Sequence, residues 1–170
     1  MLDILRNRRS VRKFTDKAIE DNKIEILKNA LLLAPTSRNI EPCEFIMVRD
    51  KDTLEKLSKL KSAGSSFIAG CDTAFVICGD TVKSDVCIED CSIASIVLQL
   101  TAETIGLKSC WAQVRLRSGE KPSEQYVREL LGLPESFTVV SVIGIGYPAE
   151  DREPRPDDTL KREKIHAEKF

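Results

Sequence analysis

Residues 136–148 read SFTVVSVIGIGYP, and this stretch decides the fold. From Ser136 to Ile145 the side chains are mostly β-branched or aromatic, and Gly146-Tyr147-Pro148 breaks the run. That is the strongest strand signal in the chain. Upstream, Ser123 and Glu124 open a helix to Leu131 that Gly132 and Pro134 stop. Ser109–Val114 reads as a further strand. From about Asp85 to Thr104 runs the longest apolar-periodic segment, with Ile88, Cys91, Ile96, Leu98, Leu100 and Ala102 spread around most of its circumference. A helix apolar nearly all round belongs in a core or an interface, and Gly106 ends it.

Farther out, Thr73–Cys78 (TAFVIC), closed by Gly79, reads as a buried strand. Asp52–Leu60 is a charged amphipathic helix. Glu44–Arg49 is a short strand, and Asp21–Leu33 is a helix ended by Pro35. A first short helix and a basic loop precede it. Helices and strands mix without strict βαβ alternation, and no G-x-G-x-x-G follows an early strand. The expectation is α+β, and a dinucleotide-binding doubly wound domain is disfavoured. With 170 residues and no internal repeat, one domain spanning 1–170 is expected. After Pro148 the composition changes. The extension 149–170 is rich in charge and proline and poor in apolar pattern, so it is either disordered or docked on something else.

Charges nearly balance, at a formal net of −1, which gives no overall pull toward nucleic acid or a membrane surface. The start, MLDILRNRRS, lacks the apolar run of a signal peptide, and no segment is long enough to span a bilayer. The cytoplasm is the expected location. Six cysteines without a secretion signal read as reduced thiols, with Cys71, Cys78, Cys91 and Cys110 as small buried hydrophobes. Cys87 and Cys91 could share a helix face. The single histidine, His166, lies far from them, so no metal site is expected.

Four segments carry chemistry. Arg8-Arg9-Ser10-Val11-Arg12-Lys13-Phe14 sets paired guanidinium donors and a hydroxyl between two apolar anchors, a pattern suited to phosphate but also to a solvated basic loop or a nucleic-acid patch. Ala34-Pro35-Thr36-Ser37-Arg38-Asn39-Ile40-Glu41-Pro42-Cys43 is a proline-stiffened polar loop that suits ligand recognition or a capped turn. Gly106-Leu107-Lys108-Ser109-Cys110-Trp111-Ala112-Gln113-Val114-Arg115 holds the only tryptophan, a candidate core or interface aromatic, with Gln113 and Arg115 following at strand-end positions. Ile145-Gly146-Tyr147-Pro148 is followed by Arg152, Arg155 and Arg162, a strand leading either into a basic tail or simply into a disordered one.

In this order, RRSVRKF, the APTSRNIEP loop, a long helix ending in GLKSCW and a terminal GIGYPAE resemble the nitroreductase family of flavoproteins over essentially the whole chain. The resemblance implies a mostly antiparallel central sheet flanked by helices. It also implies an intertwined homodimer whose swapped C-terminal tail wraps the partner subunit, and FMN as cofactor. Carried over by position, Arg8, Arg9, Ser10 and Arg12 match the motif for the FMN phosphate, ribityl chain and pyrimidine edge. Thr36, Ser37 and Asn39 match a loop that reaches the flavin from the second subunit. Trp111, Ala112 and Gln113 match the backbone facing the ring near N5, and Arg152 or Arg155 matches a basic residue completing the phosphate site.

The implied activity is ping-pong electron transfer from NAD(P)H to a small acceptor such as a nitroaromatic, quinone or flavin. No catalytic residue is needed beyond the flavin, with Arg12 stabilising charge and Gln113 near N5. Glu41 and Cys43 stand where relatives often have glutamine and tryptophan, and Gln113 stands where many have glycine. These departures bear on the substrate pocket. Three readings compete: a flavin-binding sensor or storage protein, a flavin-consuming or dehalogenating relative on the same fold, and a small nucleic-acid binder.

Overall fold

The computed structural model describes residues 1–170. In chain order the elements are α1 (Leu2–Asn7), α2 (Asp21–Leu32), β1 (Cys43–Val48), α3 (Lys51–Leu57), β2 (Thr73–Asp80), α4 (Cys87–Thr104), β3 (Lys108–Gln113), α5 (Ser123–Leu131) and β4 (Phe137–Gly146). The four strands form one antiparallel sheet in the order β1-β2-β4-β3. The long apolar stretch around residue 140 is therefore a central strand, and the α+β expectation holds.

Side-chain alternation sorts the sheet into two cores. Phe75, Ile77, Ile143 and Ile145 pack with Leu27 of α2 and Leu98 of α4 on one face. Val76, Cys78, Cys110, Ala112 and Val142 pack with Leu54, Phe67 and Val127 of α3, the 66–70 turn and α5 on the other. β2 and β4 are buried on both sides, which is why their sequences run apolar without clean alternation. A register shift opposite Ile77 and Cys78 adds a bulge near Val140. There Val140 joins the α2/α4 core while Val139 and Val142 face the other.

Most boundaries shift by one residue, α3 ends at Leu57 rather than Leu60, and two further shifts have a visible cause. β2 runs through Gly79 to Asp80, because Gly79 still pairs with Cys43 and Thr138. α4 starts at Cys87, because residues after Asp80 turn first, with the Val82 N–H donating to Asp80 Oδ1 at 2.9 Å. At its far end Gly106 takes φ +76°, the left-handed conformation that lets the chain leave the helix toward β3. α4 buries Cys91, Ala94, Ser95, Leu98 and Ala102 and leaves Ile93 39% and Ile96 37% exposed. No helix is long and apolar enough to cross a membrane.

The N-terminal segment is laid against the sheet rather than built into it. Ser10 bridges Ser109, and the Val11 N–H donates to the Ser109 carbonyl at 3.1 Å. Thr15 N–H donates to the Tyr147 carbonyl at 2.9 Å, and Ala149 N–H to the Lys13 carbonyl at 2.9 Å. Between these bonds the Phe14 ring lies on Gly146, where an added Cβ would come within 2.9 Å of it. The residues from Asp151 onward are all exposed. They leave the body past α1, tied by the Arg155 N–H to the Arg6 carbonyl at 3.0 Å and by the Arg6–Asp157 ion pair at 2.8 Å.

Just beyond β4, the Tyr147 hydroxyl donates to Glu20 Oε2 at 2.5 Å and accepts from Lys23 Nζ at 2.8 Å, joining the strand end to the start of α2. That bond holds the Glu20 carboxyl down at about 2, below its ordinary 4.5. A depressed carboxylate favours the fold above its unfolded value and loses that contribution as pH falls toward its folded one.

Two outcomes are expected. Gly146→Ala should lower the urea midpoint by the equivalent of about 1–3 kcal/mol, since the new methyl must displace the Phe14 ring. Tyr147→Phe should return the Glu20 carboxyl titration, followed by NMR, toward 4.5.

Candidate functional site

The basic segment gathers cations that have no carboxylate to neutralise them. Arg8, Arg12 and Arg117 make no ion pair, and neither does Lys61 from the loop after α3. Arg8, Arg12 and Lys61 lie near one buried thiol, and Arg117 lies near Lys61. The Cys110 thiol is raised by burial, and Arg12, the Ser10 hydroxyl, Lys61 and Arg8 all act against that rise. Lys61 is itself lowered, chiefly by burial and then by Arg117 and Arg12. Like charges held together without a counter-ion favour an anion between them.

Arg9 instead donates to the Glu153 carbonyl. The Arg12 backbone N–H donates to Glu150 Oε1 at 2.7 Å, which fixes its position and lowers the Glu150 carboxyl. The Arg152 guanidinium is taken by Glu150 at 3.0 Å, while the Arg155 side chain has no partner.

β3 supplies the wall beside this cluster. The Val114 N–H turns to the Val140 carbonyl of β4, whereas the Ser109 carbonyl turns outward to Val11. By alternation the backbone groups of Trp111 and Gln113 also face the free edge, and those of Ala112 face β4. Ala112 is fully buried on the α3/α5 face. The Gln113 side chain is occupied: its Oε1 accepts from the Trp111 indole at 3.0 Å, and its Nε2 donates to the Arg115 carbonyl at 3.0 Å. The Ser109 hydroxyl, buried beside this edge, has no partner.

The second expected group sits elsewhere. In the loop before β1, Arg38, Asn39 and Glu41 take φ values of 53°, 54° and 53°. Three non-glycine residues in the left-handed region constitute real backbone strain. Thr36 Oγ1 accepts the Glu41 N–H at 3.1 Å, buried Asp90 of α4 accepts the Ser37 N–H at 2.9 Å, and Arg38 pairs with Asp85. The second Asp90 oxygen, Oδ2, is buried without a partner.

The sheet register separates the two groups. Ser10 lies by Ser109 on β3, in line with Ile145 and Thr73, while the loop enters at Cys43 on β1, in line with Gly79 and Thr138. β1 and β3 are opposite edges. Three strand spacings across and about six residues along place the corners roughly 25 Å apart. Within one chain, Arg8, Ser10 and Arg12 therefore converge with Trp111 and Gln113, and Thr36, Ser37 and Asn39 do not join them. His166 stacks on Phe170 in the exposed tail, away from both groups.

Sequence reasoning missed Lys61, Arg117 and Asp90. Lys61 and Arg117 lie in charged, motif-free stretches and gain meaning only by folding onto Arg12. Asp90 carried a signal, a carboxylate inside an otherwise apolar helix.

The donor chemistry fits a phosphate-bearing cofactor: guanidinium groups and a hydroxyl at a positive, solvent-reachable corner beside open backbone donors. Comparison with known proteins agrees. The profile of the nitroreductase family matches residues 5–68 and 60–147. A solved FMN-dependent nitroreductase from Clostridium difficile R20291 is 39% identical, covers all of both chains and superposes with a TM-score of 0.97. An Archaeoglobus fulgidus protein provisionally named NADH dehydrogenase/NAD(P)H nitroreductase is 35% identical over 99% of this chain and 98% of its own. An NADPH-flavin oxidoreductase from Vibrio harveyi is 26% identical over 87% of this chain and 65% of its own. With a family profile covering most of its length and full-length relatives on the same fold, the chain belongs to the nitroreductase family.

Proposed function

We propose that the chain is an FMN-dependent NAD(P)H oxidoreductase that works as a homodimer and reduces a small acceptor such as a nitroaromatic, quinone or flavin. The observation that carries this reading is the set of cations without ion pairs, Arg8, Arg12 and Lys61 near Ser10 with Arg117 beside Lys61, at the free edge of β3. When bound, FMN supplies two-electron chemistry in two half-reactions, accepting hydride from NAD(P)H and then reducing the acceptor.

The chain's own residues bind and polarise. Arg8, Arg9 and Ser10 hold the phosphate and ribityl oxygens, and Arg155, whose side chain is free, completes the anion site in preference to Arg152. Arg12 and Lys61 place positive charge at the pyrimidine edge, where reduction builds negative charge. The outward backbone of Trp111 and Gln113 offers a hydrogen bond near N5, and Ala112 keeps that edge packed against the core. No side-chain nucleophile is required.

Two copies are needed because the strained loop cannot reach the cluster of its own chain. Thr36, Ser37 and Asn39 of one protomer complete the site of the other, and two-fold symmetry makes two such sites. The exposed Ile93 and Ile96 face of α4 forms the centre of the contact. The tail beyond Asp157, with exposed Leu160, Ile165 and Phe170, wraps the partner, while residues 149–157 stay tied to their own α1 and N-terminal loop. The edge of β1 is open to it, whereas that of β3 is partly covered by Ser10 and Val11.

Arg8→Ala or Ser10→Ala should weaken FMN retention about ten- to a hundred-fold, since a charge-assisted contact is worth roughly 1.5–3 kcal/mol. Full flavin occupancy of these variants at low FMN would end the phosphate assignment. Ile96→Glu should weaken self-association on the order of a hundred-fold in sedimentation and release flavin at the same time. Steady-state NAD(P)H oxidation with a quinone separates turnover from mere flavin storage.

A further inference from the structure

We propose that Cys43 and Cys91 form a peroxide-oxidisable pair that closes to a disulfide between the start of β1 and the middle of α4. Their sulfurs lie 3.5 Å apart. Closing to a bond of about 2.05 Å requires an approach of about 1.5 Å, within reach of side-chain rotation. The contact exists because Gly79, paired with Cys43, has no side chain. A Cβ there would lie 2.9 Å from Cys91 Sγ and 3.0 Å from Cys87 Cβ, so α4 comes down onto the sheet at this point.

The two thiols are not equivalent. Cys43 is half-buried and lines a cleft of about 240 Å³ with Leu31, Ala34, Thr36, Glu41 and Ala94, while Cys91 is fully buried beneath it. The contact with Cys91 lowers the Cys43 thiol, against burial and the Asp90 and Glu44 carboxylates. The same contact, with burial, raises Cys91. Cys43 is thus the attacking thiolate and Cys91 the resolving thiol. The other four cysteines are raised by burial, Cys71 and Cys78 to about 12, and no other thiol lies within hydrogen-bonding distance of them.

The oxidant is hydrogen peroxide. The Cys43 thiolate attacks one peroxide oxygen; an S–O bond forms, the O–O bond breaks, and the departing hydroxide takes a proton to become water. Cys43 is then a sulfenic acid, oxidised by two electrons. Cys91 gives up its proton and its sulfur attacks that of Cys43. The S–S bond forms, the S–O bond breaks, and a second water leaves. In total, two thiols and one peroxide give one disulfide and two waters. The bond fastens the strained 36–41 loop, which leads directly into Cys43, to the helix whose Asp90 already holds it.

The test uses the full chain, with and without added FMN, exposed to one or two equivalents of hydrogen peroxide. The expected result is loss of two hydrogens in intact mass, a non-reducing peptide map joining the Cys43 and Cys91 peptides within one chain, and reversal by dithiothreitol. Cys91→Ser should leave a Cys43 sulfenic acid captured by dimedone, and Cys43→Ser should give neither product. No change in mass, a different pair of linked cysteines, a bond between two chains, or a dimedone adduct elsewhere in the Cys91→Ser protein would each overturn the proposal. Peroxide is supplied from solution, so a negative result here leaves the flavin reading untouched, and absence of flavin leaves this test intact.

Discussion

The ring of Phe14 lies on Gly146, in a space that even one methyl group would close. This steric fit positions residues 8–15, which form neither helix nor strand of the sheet. The flanking backbone bonds to Ser109, Tyr147 and Ala149 then fix its register. Arg8, Ser10 and Arg12 consequently project beside β3 at a defined place, although they lie in a loop. The rigid sheet serves as the scaffold and the loop carries the charge, the usual division between stability and function.

A second constraint is electrostatic. Arg6, Arg38, Arg49 and Arg152 are all matched with carboxylates, whereas Arg8, Arg12, Lys61 and Arg117 are not. Holding unmatched cations together, with Lys61 partly desolvated, costs stability that an anionic ligand would offset. The left-handed run at Arg38, Asn39 and Glu41 is a separate cost, paid at the opposite corner of the sheet. Two expensive features roughly 25 Å apart in one chain are what the homodimer proposed above would bring together. The apolar residues left outside on α4 and the exposed tail are compatible with that proposal.

The sequence by itself determined the element types. β-branched runs at Thr73–Cys78 and Ser136–Ile145, the all-round apolar helix near Ile88–Ala102, and the punctuation at Pro35, Gly106 and Gly132 are signals carried by neighbours a few residues apart, and the structure follows them with shifts of one or two positions. The linear order of RRSVRKF, APTSRNIEP, GLKSCW and GIGYPAE identified the family for the same reason, since a motif is local. Only the tertiary structure decided what came together. Lys61 and Arg117 join Arg12, Cys43 meets Cys91 across Gly79, and Thr36–Asn39 is kept from Arg8–Arg12 by sheet register. Each depends on strand order and on how closely a helix packs to a sheet. Those are set by summed contacts between residues far apart in the chain, which no local pattern encodes.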